Sequence, residues 1–395
     1  MRKVEEQIFF SILRSVIWGV PATIPTGVDW QQVLNCAARQ KCLHAFSVWL
    51  RTHQIQTPFD KKLQTSIFMV LQRQARLNSL TAVVAELLAK HNINATLIKG
   101  YSLSLLYPDP DTRDFGDVDI YVGESEYERA TEILTKAFPE AHWRSEIHGG
   151  IHYILVLDES LDRVVELHRV TMEFVDVKAN ALYQSFTQKY LHQSSTTTID
   201  LCGKTVFVPS VAYNALYVFM HAWHHFESSG VGFRQLADWA LCLKQAYDQS
   251  SSDQWQELTQ EIDTILTALK MKKAWQTFGH ILVDELHLPQ DAFPLFTLRY
   301  ENRAKRLFRQ LLRDGHCGRP AQFNIKEIAL MRRFPIERPQ QYRLLQKGYT
   351  FCRLLFDAWQ MGKFFPDLAW HELRHSLRCA CTKKRTSHNC AQSCD

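Results

Sequence analysis

The stretch 97-LIKGYSLSLLYPDPDTRDFGDVDIYV-122 decides how the chain is read. At its end, GDVDIYV sets Asp117 and Asp119 two residues apart in an extended run. Both carboxylates therefore leave one face of a strand, roughly 6.6 Å apart along the chain. Val118 and Ile120 point the other way and supply the apolar face that packing on a core requires. Two anions on one face repel each other unless a cation lies between them. Hard divalent cations such as Mg²⁺ take oxygen ligands of this kind and complete their shell with water and phosphate oxygens.

At the start of the stretch, Ala95 to Ile98 reads as a strand, Lys99-Gly100 as its end and Tyr101 to Tyr107 as a helix. A glycine at such a junction lets backbone approach a phosphate, and a helix N-terminus offers it unpaired N–H groups. The interval from Gly100 to Asp117 accommodates one helix and one loop, returning the chain to a strand parallel to the first. Further on, RVVELHR alternates Val165 and Leu167 with Val164, Glu166 and His168, so Glu166 also stands on one strand face. If the two strands are neighbours, three carboxylates converge. They can then hold two metal ions, one gripping a triphosphate and one lowering the pKa of an attacking hydroxyl. Asp158, Glu159 and Asp162 lie in the turn DESLD and read as solvated loop.

The segment 97–122, followed by VVELHR and by HAWHHFESSGVGFRQLADWA, resembles the uncharacterised bacterial nucleotidyltransferase-like family of the polymerase-β-type nucleotidyltransferase superfamily. The resemblance covers about Asn92 to Lys244. It implies a glycine-bearing turn at Gly100, paired acids at Asp117 and Asp119, and a third acid at Glu166. It also implies a phosphate-facing lysine at Lys99 and arginine at Arg113. The superfamily glycine is commonly followed at once by serine or glycine, whereas here Tyr101 follows and Ser102 is displaced by one.

Around this stretch the pattern is helical. Residues 1–91 read as an all-α lobe, with a long run from Phe59 to Lys90 free of glycine and proline. Residues 92–209 read as a mixed α/β core: strands at Asp117 to Val122, Ile151 to Leu157 and Arg163 to His168, a helix from Glu124 to Phe138, and a strand or hairpin across Thr197 to Val208. Residues 210–377 read as a second helical lobe and 378–395 as a basic, Cys-rich tail without fixed structure. The expected class is α+β, a small mixed-sheet nucleotidyltransferase core flanked by helical lobes.

In the second lobe, His221 and His225 fall one turn apart on one helix face, with His224 beside them. No carboxylate motif accompanies them, which favours a structural or substrate-contacting role over a metal site. Arg234 and Asp238, at i and i+4, are expected to form a helix salt bridge. By the resemblance, this lobe covers the cleft. In the tail, Cys379, Cys381, Cys390, Cys394 and His388 have a spacing unlike the usual zinc motifs, and reduced thiols are expected.

Bulk properties narrow the choices. A net charge of +5 spread over 395 residues does not nominate a nucleic-acid partner, nor exclude one. The N-terminal apolar positions recur at helical spacing, and no apolar run reaches the roughly 18 residues of a membrane span, so a cytoplasmic protein with free thiols is expected. The expected activity is transfer of a nucleoside monophosphate from an NTP to a hydroxyl of unread identity, with Mg²⁺, or alternatively Mn²⁺, as cofactor. Two rivals are a glycosyltransferase that uses D-x-D to hold a nucleotide-sugar's metal, and an inactive nucleotide- or partner-binding protein.

Overall fold

The computed structural model describes residues 4–145, 152–158, 163–174, 176–191, 196–228, 230–315 and 365. Four helices come first: α1 (Val4–Trp18), α2 (Trp30–Arg39), α3 (Leu43–Thr52) and α4 (Asp60–Lys90). Asp29 caps α2 by accepting from the Gln32 amide. With neither glycine nor proline inside it, α4 runs 31 residues unbroken. Its core-facing residues, Leu77, Leu80, Val84 and Leu88, form the bed on which the sheet rests.

The mixed region follows with β1 (Thr96–Leu97), α5 (Tyr101–Ser104), β2 (Val118–Tyr121), α6 (Tyr127–Ala137), β3 (His142–Ser145), β4 (His152–Asp158), β5 (Arg163–His168), α7 (Val177–Leu191), β6 (Thr197–Leu201) and β7 (Lys204–Val208). The strands make one seven-stranded mixed sheet in the order β3-β4-β5-β2-β1-β7-β6. Strands β6 and β7 form a hairpin across Cys202-Gly203. Both loop residues have positive φ, 52° and 75°, as a two-residue type I′ turn requires.

One expectation is overturned here, because β1 and β2 pair antiparallel, Thr96 opposite Tyr121 and Leu97 opposite Ile120. The reason is the length of the connection's helix. A parallel return needs a crossover that carries the chain back along the sheet. Instead α5 stops after four residues, short of the expected Tyr107, and the chain re-enters β2 from the end where β1 finished. The parallel neighbours are β2 with β5 and β1 with β7. Three elements lie where no element was expected, the short 3₁₀ turn Pro110–Thr112, the edge strand β3 and helix α7.

The sheet has unlike faces. Val118, Ile120, Val165 and Leu167 point into a core shared with α4 and α6. The alternate residues of β2 and β5 face away from it, and Tyr121 on that side packs against the second, larger core. That core unites α1 to α3 with α7, α8 (Val211–Ser228), α9 (Phe233–Gln249), α10 (Ser252–Ala268), α11 (Lys272–Leu286) and α12 (Glu301–Asp314). Its largest buried side chains include Trp239, Trp275, Phe9 and Phe233. The fold is thus α+β, with the acidic sheet face turned toward helices. Cys36, Cys42 and Cys242 are buried free thiols and Cys202 an exposed one. No helix among the described residues is long and apolar enough to cross a membrane. The Cys-rich tail, Cys317, Cys352, Glu159 and Asp162 lie outside the described residues.

Candidate active site

Strands β2 and β5 run side by side with Asp119 directly abreast of Glu166 and Tyr121 abreast of His168. Two-residue periodicity then puts Asp119, Glu166 and His168 on the face away from the α4 core. One ligand atom from each of these three lies within 4.8 Å of the others. Asp117 precedes β2 by one residue and is half-buried. Glu166 is the acid that the sequence placed there; His168, which the sequence placed on the same face without a role, joins the cluster.

Asp119 is fully buried, and its Oδ1 takes the Lys99 ammonium at 2.7 Å and His168 Nε2 at 3.0 Å. An ionised carboxylate has no proton to give, so His168 donates. Burial alone would raise the Asp119 pKa, but Lys99 and His168 hold it well below the usual carboxylate range. Burial likewise opposes charge on Lys99, but Asp119, Tyr217, Asp117 and Glu166 together outweigh it and hold the lysine well above its ordinary pKa. The other two acids move in the opposite direction. Asp117 is raised by the Asp119 charge and then by burial, whereas Glu166 is raised first by burial and then by Asp119. The cluster therefore has more negative charge than its own side chains neutralise.

Asp119, Glu166 and His168 could together hold a metal ion. Asp119 Oδ2 is buried and no nitrogen or hydroxyl donor reaches it, while the Glu166 carboxyl lies within hydrogen-bonding reach of Asp119. Among the described residues, no hydrogen bond or ion pair holds the Asp117 carboxylate. A buried carboxylate oxygen without a donor is costly unless something else satisfies it. The carboxylate oxygens suit a small, hard divalent ion.

Gly100 borders these acids. Its φ of 63° and ψ of −124° suit a residue without Cβ, and a Cβ built there would lie 3.5 Å from the Asp117 carbonyl. Ser102 turns its hydroxyl back onto the Lys99 carbonyl at 3.1 Å. Arg113 does not face the acids as a phosphate ligand would. Its guanidinium is buried, donating to both Asp238 oxygens at 2.7 and 2.9 Å and to the Gly100 carbonyl at 2.7 Å. The Tyr107 hydroxyl adds a third bond to Asp238 at 2.7 Å.

The expected Arg234–Asp238 helix pair is therefore not formed. Arg113 and Tyr107 occupy the Asp238 carboxylate, and Arg234 donates to the Asp114 carbonyl at 3.0 Å. A long-range pair won because Arg113 presents two parallel donors to the carboxylate in a water-free setting, where such pairing is strongest. Together with Gln74, which donates to the Arg113 carbonyl, and His44, which bonds the Asp111 carbonyl, these contacts fix the loop that delivers Asp117 and Asp119. Residues 109–116 are thereby tied to α3, α4 and α9 at once.

Helix α8 approaches from the same side. Tyr217 is buried, and its hydroxyl feels the charges of Lys99, Asp119 and Glu166. One turn on, His221 Nε2 lies 3.1 Å from His225 Nε2. Burial, then the Lys99 charge, holds His221 well below its ordinary pKa.

A family model described as an uncharacterised nucleotidyltransferase matches residues 26–271, well over half of the chain. The chain belongs to this nucleotidyltransferase family. No curated protein matches it. Two solved structures are similar. One is an antigenic nucleotidyltransferase-like protein from Paracoccidioides brasiliensis, at 21% identity over 54% of this chain and 92% of its own, with a TM-score of 0.32. The other is the antibiotic-resistance factor ANT(2'')-Ia, at 12% identity over 51% of this chain and 93% of its own, also with a TM-score of 0.32. Both overlays are loose, and membership rests on the sequence match.

Proposed function

We propose that this nucleotidyltransferase family member is an active, divalent-metal-dependent enzyme that moves a nucleoside monophosphate from an NTP to an acceptor hydroxyl. The observation that supports the reading most is the Asp119–Glu166 pair abreast on β2 and β5, with Asp117 just ahead and the Gly100 turn beside them. Asp117, Asp119 and Glu166 would hold the ion, Mg²⁺ by preference and Mn²⁺ as its substitute. Bound there, it supplies positive charge to the triphosphate and to the oxygens whose charge grows during an in-line displacement.

The chain's own groups do the rest. Gly100 lets backbone come close to the phosphates, and Lys99 adds a fixed positive charge at the acid cluster. The acceptor oxygen forms a bond to the α-phosphorus as the bond to the bridging β-oxygen breaks, and pyrophosphate leaves with that electron pair. Glu166, ionised once the cation is in place, takes the proton of the acceptor. Arg113 contributes indirectly by holding the Gly100 carbonyl and the acid loop in place. The reading keeps the chain in the cytoplasm, where NTPs and Mg²⁺ are available together.

The test is mass-resolved labelling. The wild type is incubated with each labelled NTP and Mg²⁺ in host lysate, beside Asp117→Asn and Asp119→Asn. We expect label in one acceptor class with the wild type, and a loss of at least ~10²-fold in either variant, as removal of a charge-stabilising group does. Undiminished labelling in either variant would remove the mechanism.

A further inference from the structure

The two oxygens of Asp119 have unlike surroundings. Oδ1 is held by the Lys99 ammonium at 2.7 Å and by His168 Nε2 at 3.0 Å, whereas Oδ2 is buried with no nitrogen or hydroxyl donor, its side of the carboxylate lying beside Glu166. A carboxylate that bridges two divalent ions offers one oxygen to each. Here one of the two already has its cation. The Lys99 side chain is only 14% exposed and reaches Asp119 from the end of β1, the strand paired antiparallel with β2. It sits two residues past the end of that strand, in the bend that leads into the Gly100 turn.

Charge counting points the same way. The centre gathers three carboxylates, Asp117, Asp119 and Glu166, around one ammonium. One divalent ion together with Lys99 balances them. A second divalent ion at Asp119 Oδ1 would have to displace Lys99 from its contact in a buried setting, where an unpaired ammonium is strongly disfavoured.

We propose that Lys99 stands in for the second cation of the centre, so that this chain works with a single divalent ion, held through Asp119 Oδ2 together with Glu166. The inference rests on the nucleotidyltransferase reading of the same site and departs from a two-ion arrangement. Lys99 is then a positioning residue: it fixes which Asp119 oxygen faces the ion and carries part of the charge that a second ion would bring. His168 helps to orient the carboxylate by donating to the same oxygen.

Counting bound Mn²⁺ by electron paramagnetic resonance, with inorganic pyrophosphate present, tests this without any need for turnover. The wild type is expected to hold one ion with the spectrum of an isolated Mn²⁺. Lys99→Met should hold two, with the exchange-coupled spectrum of ions about 3.5–4 Å apart. Lys99→Arg, which keeps the charge, should stay at one, and circular dichroism confirms that each variant is folded. Two coupled ions in the wild type would overturn the inference and leave the nucleotidyltransferase reading standing, as would a folded Lys99→Met that still holds one. No Mn²⁺ bound to the wild type at any concentration would overturn both.

Discussion

Replacing Asp238 by asparagine tests whether the helical lobe sets the geometry of the acid loop. The carboxylate accepts two bonds from Arg113 and one from Tyr107, and both members of the ion pair are only 4% exposed, so solvent screens little of it. Asparagine keeps the shape but removes the charge, leaving the guanidinium with the Gly100 carbonyl as its remaining strong partner. Breaking a buried pair from one side costs about 3–5 kcal/mol. Because one amide oxygen can still accept, the lower end, about 3 kcal/mol, is the expected loss. That is a large part of a typical stability of about 5–15 kcal/mol.

Urea unfolding followed by circular dichroism measures the change as a shift in midpoint. A compensated variant, Arg113→Met with Asp238→Leu and Tyr107→Phe, should recover part of the loss, since an apolar cluster can replace a buried ionic one at little cost. Activity should not recover with it, because the Gly100 carbonyl has lost its donor. A loss below about 1 kcal/mol in Asp238→Asn, or a compensated variant no more stable than the single one, would refute the reasoning.

Two further outcomes follow from the same loop. Gly100→Ala should destabilise by about 1–3 kcal/mol through backbone strain at φ 63°, and should reduce transfer; a neutral Gly100→Ala in the unfolding assay would contradict the strained turn. His44, buried with Nε2 2.8 Å from the Asp111 carbonyl, is held below its ordinary pKa of 6.5 mainly by burial. Its folded pKa lies below the unfolded one, so its contribution is complete above pH 6.5. It is lost as pH falls from there through the folded value, at up to about 1.4 kcal/mol per pH unit. His44→Gln keeps a donor for the carbonyl and should flatten that part of the stability curve; an unchanged acid slope would show that His44 is not kept neutral.

Much of this was legible in the sequence because the signals were local. The D-x-D alternation, the glycine after a short apolar run and the V-E-L-H alternation each fix a strand face on their own, and the sheet brought Asp119 and Glu166 abreast. Helix α4 was plain from its long run without breakers. What escaped depended on contacts distant in sequence. Arg113 and Asp238 are 125 residues apart, and spacing alone pairs Asp238 with Arg234, its own helix neighbour. The direction of β2 relative to β1 turned on how soon α5 would end, which no residue between Ser104 and Tyr107 announces. Helix α7 had one readable signal, Asp176, whose carboxylate accepts from the Lys178 and Ala179 amides as an N-cap does. His168 could have been found from its parity with Glu166, yet its bond to Asp119 required the two strands to be neighbours.

A crystal grown with Mn²⁺ and a non-hydrolysable NTP analogue tests the central claim most directly, because the anomalous signal locates the ion independently of the protein. The account predicts a peak at ligand distance from both Asp119 and Glu166, with the analogue's phosphates on the side of Gly100. A peak elsewhere, with nucleotide bound away from these carboxylates, would contradict it.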